Sequence, residues 1–297
     1  MRVDPNYVSN LADSLNNTET LEQNLSSQLS SGVSVTSIGD DPVAASQNVS
    51  LLNQIQQDDT FTSNATAVQG QLQVADSALG SVVTELTSAV SLATSANNGS
   101  LSSDEVKSIS TQMSGILTEV QTLANTSYQG QYIFAGGQSS TIPFTTTSNV
   151  TTYNGDENVN YMEMPNGEKI QLNVPGDQVF TASGASVFGA LNSLVEDYST
   201  GTVNVTQATT DLATLNSSLN YVSRQRVTID NSINQVTASA DATSNLQTQL
   251  TTVQTNLLQA DVATISTKLS TAESQFTALE SVIVSLESSS NSLFNRM

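Results

Sequence analysis

Near the start of the chain, apolar side chains recur at alternating steps of three and four: Val8, Leu11, Leu15 and Thr18, then Leu25 and Leu29 after a polar Glu22. Near the end the pattern returns through Leu258, Val262, Ile265, Leu269, Ala272, Phe276, Leu279, Ile283 and Leu286, with Ser290 filling one place before Leu293. This spacing keeps a stripe on one side of a slightly underwound helix, the geometry that lets it supercoil with another. Two such helices at opposite ends predict a fold that closes on itself.

Between the seams, local signals mark the boundaries. Gly32 follows the last apolar turn as a C-terminal cap, and residues 33–41 read as a connector. Asp41-Pro42 restarts a helix, with Asp as N-cap and Pro at the first helical position, where its missing N–H is no loss. A long stripe then runs through Ala65, Val68, Leu72, Ala75, Leu79, Val82, Leu86, Ala89, Ala93 and Ala96, whose small members admit a close neighbour. Asn97-Asn98-Gly99 stops it, and Ser102 with Glu105 matches the capping box of a further helix carrying Val106, Ile109, Met113, Ile116, Val120 and Leu123.

From about Gln131 the period changes. Tyr132 to Gly137 reads as a strand ending in a turn, and the Thr-rich stretch to Tyr153 has high β-propensity. Asn154-Gly155 is a hairpin signal. Ile170, Leu172 and Val174 alternate as in a half-buried strand, with Pro165-Asn166-Gly167 and Pro175-Gly176 as bracketing turns. Helical spacing returns at Val187, Phe188, Leu191, Leu194 and Val195, and after Gly201 it becomes continuous to the C-terminal seam, as one very long helix or as two with a hinge near Gln259-Ala260-Asp261. The predicted class is mainly α with a β-rich insert: long antiparallel helices forming a terminal coiled coil (1–41 with 260–297) and a helical bundle (42–130 with 185–259), and a small β domain (131–184).

Composition narrows the function. Seven Lys and Arg against twenty-seven Asp and Glu give a net charge of −20, which disfavours nucleic acid and anionic membrane as partners. Only 11% of residues are charged, so Ser, Thr, Asn and Gln must cover much of the surface. No cysteine is present, which removes disulfides and thiolate metal sites, and no histidine, which removes Ser-His and Cys-His nucleophilic sites. No stretch has the length of a membrane-spanning helix, and the N-terminus lacks the pattern of a cleaved secretory signal.

The remaining polar candidates have ordinary structural readings. Asp156-Glu157, beside the Asn154-Gly155 turn, is the most suggestive acidic pair, yet adjacent carboxylates on a turn are usually solvated. Asp40-Asp41 suggests a cation ligand, while helix capping already accounts for Asp41. Arg226 lies on an apolar stripe, as a partner contact or as a stem that packs while its head reaches an acidic neighbour. No catalytic, cofactor or metal residue is assigned.

The segment Leu25-Ser26-Ser27-Gln28-Leu29-Ser30-Ser31-Gly32, followed by Asp40-Asp41-Pro42-Val43-Ala44-Ala45, resembles the N-terminal signature of bacterial flagellins and their relatives, and Ala75-Asp76-Ser77-Ala78-Leu79 fits it too. The middle of the chain, from Ala124-Asn125-Thr126 through Tyr132-Ile133-Phe134-Ala135-Gly136-Gly137, then Pro143-Phe144, Tyr153-Asn154-Gly155-Asp156 and Asn173-Val174-Pro175-Gly176-Asp177, is similar to the hook–filament junction branch of that superfamily. The superfamily usually ends in an apolar Ser-Leu-Leu type run, whereas this chain ends Ser292-Leu293-Phe294-Asn295-Arg296-Met297.

The resemblance implies an extracellular adaptor of the bacterial flagellum, exported without a cleaved signal and forming a ring between the first hook–filament junction protein and the flagellin filament. Terminal helices would line the inner tube, with the β-rich domain outermost. A cytoplasmic export chaperone would hold the C-terminal helix. The expected assembly seam is Leu11, Leu15, Leu25 and Leu29 with Leu269, Phe276, Leu279, Ile283 and Leu286. Flagellin itself, a surface adhesin and a carboxylate enzyme are the alternatives.

Overall fold

The computed structural model describes residues 5–147, 150–165 and 167–294, with side chains throughout except at 5, 6, 8, 287 and 289–294. Asn166 of one predicted turn, the seam side chains of Val8, Ser290 and Leu293, and the side chains of the chain end from Ser292 onward lie outside the described residues. Among the described residues, seven helices and six short strands follow in the order α1 (Pro5–Ser31), α2 (Pro42–Ala96), α3 (Ser103–Ala124), β1 (Ser127–Tyr128), β2 (Gln131–Tyr132), β3 (Phe144–Thr147), β4 (Val150–Tyr153), β5 (Tyr161–Glu163), β6 (Lys169–Gln171), α4 (Gly176–Phe180), α5 (Val187–Ser199), α6 (Val205–Leu258) and α7 (Val262–Phe294). The fold is mainly α with a small β insert, as expected. Two compact units emerge, one of Met1–Asp58 with Leu246–Met297 and one of Asp59–Asn245.

In the larger unit the stripe on α2 is the core. Leu72, Ala75, Leu79, Val82, Leu86, Ala89, Ala93 and Ala96 are buried, together with Met113 and Val120 of α3, Leu191 and Leu194 of α5, and Leu215, Val222 and Val236 of α6. Two bridges fix α2 antiparallel to α6: Gln69 Nε2 donates to Thr237 Oγ1 at 3.0 Å, and Arg226 Nε to Asp76 Oδ1 at 2.8 Å. The capping box closes as predicted, with Ser102 N–H donating to Glu105 Oε2 at 2.7 Å and Glu105 N–H to Ser102 Oγ at 3.4 Å. Ser110 Oγ donates to Val195 O at 2.8 Å, tying α3 to α5.

The insert departs from its predicted details. Each strand pair stands alone: β1 with β2, β3 with β4 and β5 with β6, all antiparallel. Residues 133–137 are not strand, because their backbone bonds point elsewhere: Ile133 N–H to Thr126 O, Gly176 N–H to Phe134 O, and Asp156 N–H to Ala135 O. The β3–β4 register pairs Thr147 with Val150, so Asn154-Gly155 lies past the hairpin, not at its turn. Pro175-Gly176 opens α4 where a closing turn was expected, a use that suits Pro because a helix start leaves N–H groups unpaired anyway.

Aromatic side chains join the insert to the bundle. Phe144 has ring neighbours Tyr153, Phe180 and Phe188 at centroid distances of 5.1, 5.3 and 5.0 Å, and Phe134 meets Phe180 edge-on at 5.4 Å. Phe188 belongs to α5, so insert and bundle share one continuous core.

Candidate assembly surface

The terminal unit carries the predicted seams. α1 ends at Gly32, whose φ of 69° is the left-handed conformation of a helix cap, with its N–H on Gln28 O at 2.9 Å. Just beyond, the returning chain crosses: Ser34 N–H donates to Leu258 O at 2.7 Å, Ala260 N–H to Gly32 O at 3.0 Å, and Val33 bridges Gln259. Of one very long helix and two with a hinge at 259–261, the second is found, and Asp261 caps α7 by accepting from the N–H groups of Ala263 and Thr264 and from Thr264 Oγ1. Asp41 Oδ1 likewise accepts from Val43 and Ala44 N–H, as the N-cap reading required.

α1 and α7 pack together around a thin core of Leu25, Ala260, Ile265 and Ala272, with Leu29 and Leu269 against it. Of the nine expected assembly-seam residues, Leu25 alone is buried, and Leu11, Leu15, Leu29, Leu269, Phe276, Leu279, Ile283 and Leu286 are half-buried; Ile265 and Ala272 of the same stripe are buried. Thr18 joins the buried set and closes its hydroxyl on Ser14 O at 2.8 Å. Val262 departs from the seam and is 55% exposed, since the break at 259–261 resets the helical phase and the stripe of α7 starts at Ile265. Beside the core runs a groove of about 530 Å³ lined by Leu21, Leu25, Lys268, Thr271 and Ala272 among others. Sequence reasoning passed over Leu21 and Lys268, because each precedes a seam position by one and so falls outside an i, i+3, i+4 search.

The polar candidates are structural. The Asp40 carboxylate accepts from Thr36 N–H and Oγ1 and from Ser37 N–H, and these bonds, Ser37's foremost, hold it below the usual carboxylate range. The Asp156 carboxylate accepts from Gly137 N–H and from the backbone and side-chain amides of Asn158, and is lowered chiefly by the Gly137 bond. Gly136, at φ 68°, passes so close to Asp156 O that any Cβ there would collide with it. Arg226 grips Asp76 with both Nε and Nη2, at 2.8 and 3.0 Å, which raises its pKa further, while Gly80 leaves room for the guanidinium. No cluster of three or more Asp and Glu placed to hold a metal occurs among the described residues, and no described helix is long and apolar enough to cross a membrane.

Two side-chain amides stand in for strand partners. Asn125 exchanges two bonds with Phe144, Nδ2 to O at 2.9 Å and N–H to Oδ1 at 2.8 Å. Asn173 does the same between Asn160 N–H and Asn158 O.

Residues 6–139 match the model of the bacterial flagellin N-terminal helical region. The match is confined to that N-terminal part, a little under half of the chain. The chain is 30% identical over 177 residues to flagellar hook-associated protein 3 of Salmonella typhimurium, covering 59% of this chain and 55% of that protein. It is 30% identical over 167 residues to the protein of the same name from Escherichia coli, covering 56% and 50%. The chain thus spans about half the length of the curated relatives it matches. Among solved structures, flagellar hook associated protein-3 from Legionella pneumophila shares the fold with a TM-score of 0.63 at 16% identity, covering 70% of this chain and 98% of that one.

Proposed function

We propose that this chain is a structural subunit of the bacterial flagellum at the hook–filament junction, an adaptor ring between the hook-side junction protein and the flagellin filament. The observation that carries the reading is the pairing of α1 with α7 over a core of four buried residues, in a chain whose curated relatives are named hook-associated protein 3. Helix pairs this thin are marginal alone and gain stability where neighbours cover the half-buried seam. Leu11, Leu15, Leu25 and Leu29 with Leu269, Phe276, Leu279, Ile283 and Leu286 are the proposed contact residues. Before export, a cytoplasmic chaperone holds α7 and keeps its seam from premature association, and export proceeds without a cleaved signal.

The test is location. Labelled protein on intact cells is expected as a single focus where hook meets filament, and cells lacking the chain are expected to keep hooks but shed flagellin. Uniform label along the filament would instead make it a filament subunit.

A further inference from the structure

The two flanks of the α1–α7 pair differ, and the difference is one of register. Successive helical residues turn by about 100°, so a residue just after a seam position lies on one flank and a residue just before it lies on the other. Glu19 follows Thr18, Glu273 follows Ala272 and Glu280 follows Leu279, and all three acids are exposed. Leu21 precedes Glu22, Lys268 precedes Leu269 and Thr271 precedes Ala272, and these three line one groove across both helices. In an antiparallel pair, equal offsets from the two seams fall on the same side. One flank is therefore acidic, and the other is an apolar and hydroxyl groove holding Lys268, the single cation of either helix. Leu21, at its edge, is 47% exposed.

From this we infer that the groove flank of one copy receives the acidic flank of a second copy. Charge complementarity selects the occupant: groove against groove opposes two lysines, and acidic flank against acidic flank opposes rows of carboxylates, whereas unlike flanks bring Lys268 to Glu273 and Glu280. Pairing of unlike surfaces is heterologous, and such contacts propagate around a ring or along a helix instead of stopping at a two-fold dimer. The inference rests on the flagellar reading above and adds to it the direction in which neighbours join.

The absence of cysteine makes the test direct. Thr271→Cys and Glu280→Cys variants are co-produced in cells lacking the native chain, and oxidised flagella are isolated and run without reductant. A mixed disulfide species that exceeds both homodimers several-fold is the expected result, with Lys268→Glu on the Thr271→Cys copy reducing it and Glu273→Lys on the Glu280→Cys copy restoring it. Protein present in the flagella with homodimers dominant, or with no mixed species, overturns the inference and leaves the flagellar reading standing. Absence of the native chain from isolated flagella overturns both.

Discussion

Tyr153 shows how much one side chain holds in the insert. Its hydroxyl bonds to Phe134 O at 3.0 Å and Asp156 O at 2.8 Å, and burial, more than the nearby carboxylates, pushes its pKa up to about 12. Tyr153→Phe removes the hydroxyl from both carbonyls, leaving Phe134 O to Gly176 N–H alone, and is expected to cost about 0.5–1.5 kcal/mol in denaturant unfolding of the larger unit. Asp197 has the opposite character. Burial first, then the charges of Asp211 and Glu196, raise its pKa, and its Oδ2 is buried with no hydrogen-bond partner among the described residues. A carboxyl raised in the folded state favours folding at low pH, and that contribution is lost as pH climbs from the unfolded value near 4 through the folded one. Asp197→Asn should therefore raise the melting temperature at pH 7 and change it little at pH 3. The capping carboxylates Asp40, Asp156 and Asp261 are lowered by hydrogen bonds, so their help is present above the ordinary carboxylate range and fades as pH falls through their lowered values. Arg226 with Asp76 is partly exposed, and its loss is expected to cost only about 0.2–1 kcal/mol.

Elements were legible in the sequence wherever a boundary is made by one residue and its own neighbours. Gly32, Asp41 and Ser102 with Glu105 all act within four positions along the chain, so reading the sequence locates them, whereas the break before Asp261, tied to Gly32 and Ser34, was left open between one helix and two. Residues 133–137 and Pro175-Gly176 were not legible, because their hydrogen-bond partners are distant: Gly176 N–H bonds Phe134 O, and Gly137 N–H bonds Asp156. Strand propensity loses there to a tertiary arrangement. For the candidate surface, the stripe was visible but its depth was not, since burial depends on what the partner helix brings. Hydrogen exchange on the free chain is expected to be fast across Leu15–Leu29 and Phe276–Leu286 and slow across Val106–Val120, where α3 lies in the main core. Strong protection of the terminal segments would refute the marginal pairing. Asp261→Ala, which removes the cap of α7, is expected to destabilise the terminal unit by about 0.5–2 kcal/mol with the larger unit unchanged.

At the scale of the whole molecule, stability is unevenly shared. The larger unit holds nearly all the buried apolar residues and all five aromatic ring contacts, while the terminal unit relies on a handful. Calorimetry should show two transitions, the lower belonging to the terminal unit and abolished by Leu25→Asp, which sets a charge in its thin core. The union of α1 with α7 also has a consequence in time. About 230 residues separate Ser31 from Val262, so at roughly 5–20 residues per second the ribosome needs on the order of 10–50 s to make the partner of a helix already complete. Through that interval every nascent chain carries an unmatched first helix, and a chain broken off before Val262 never acquires the match.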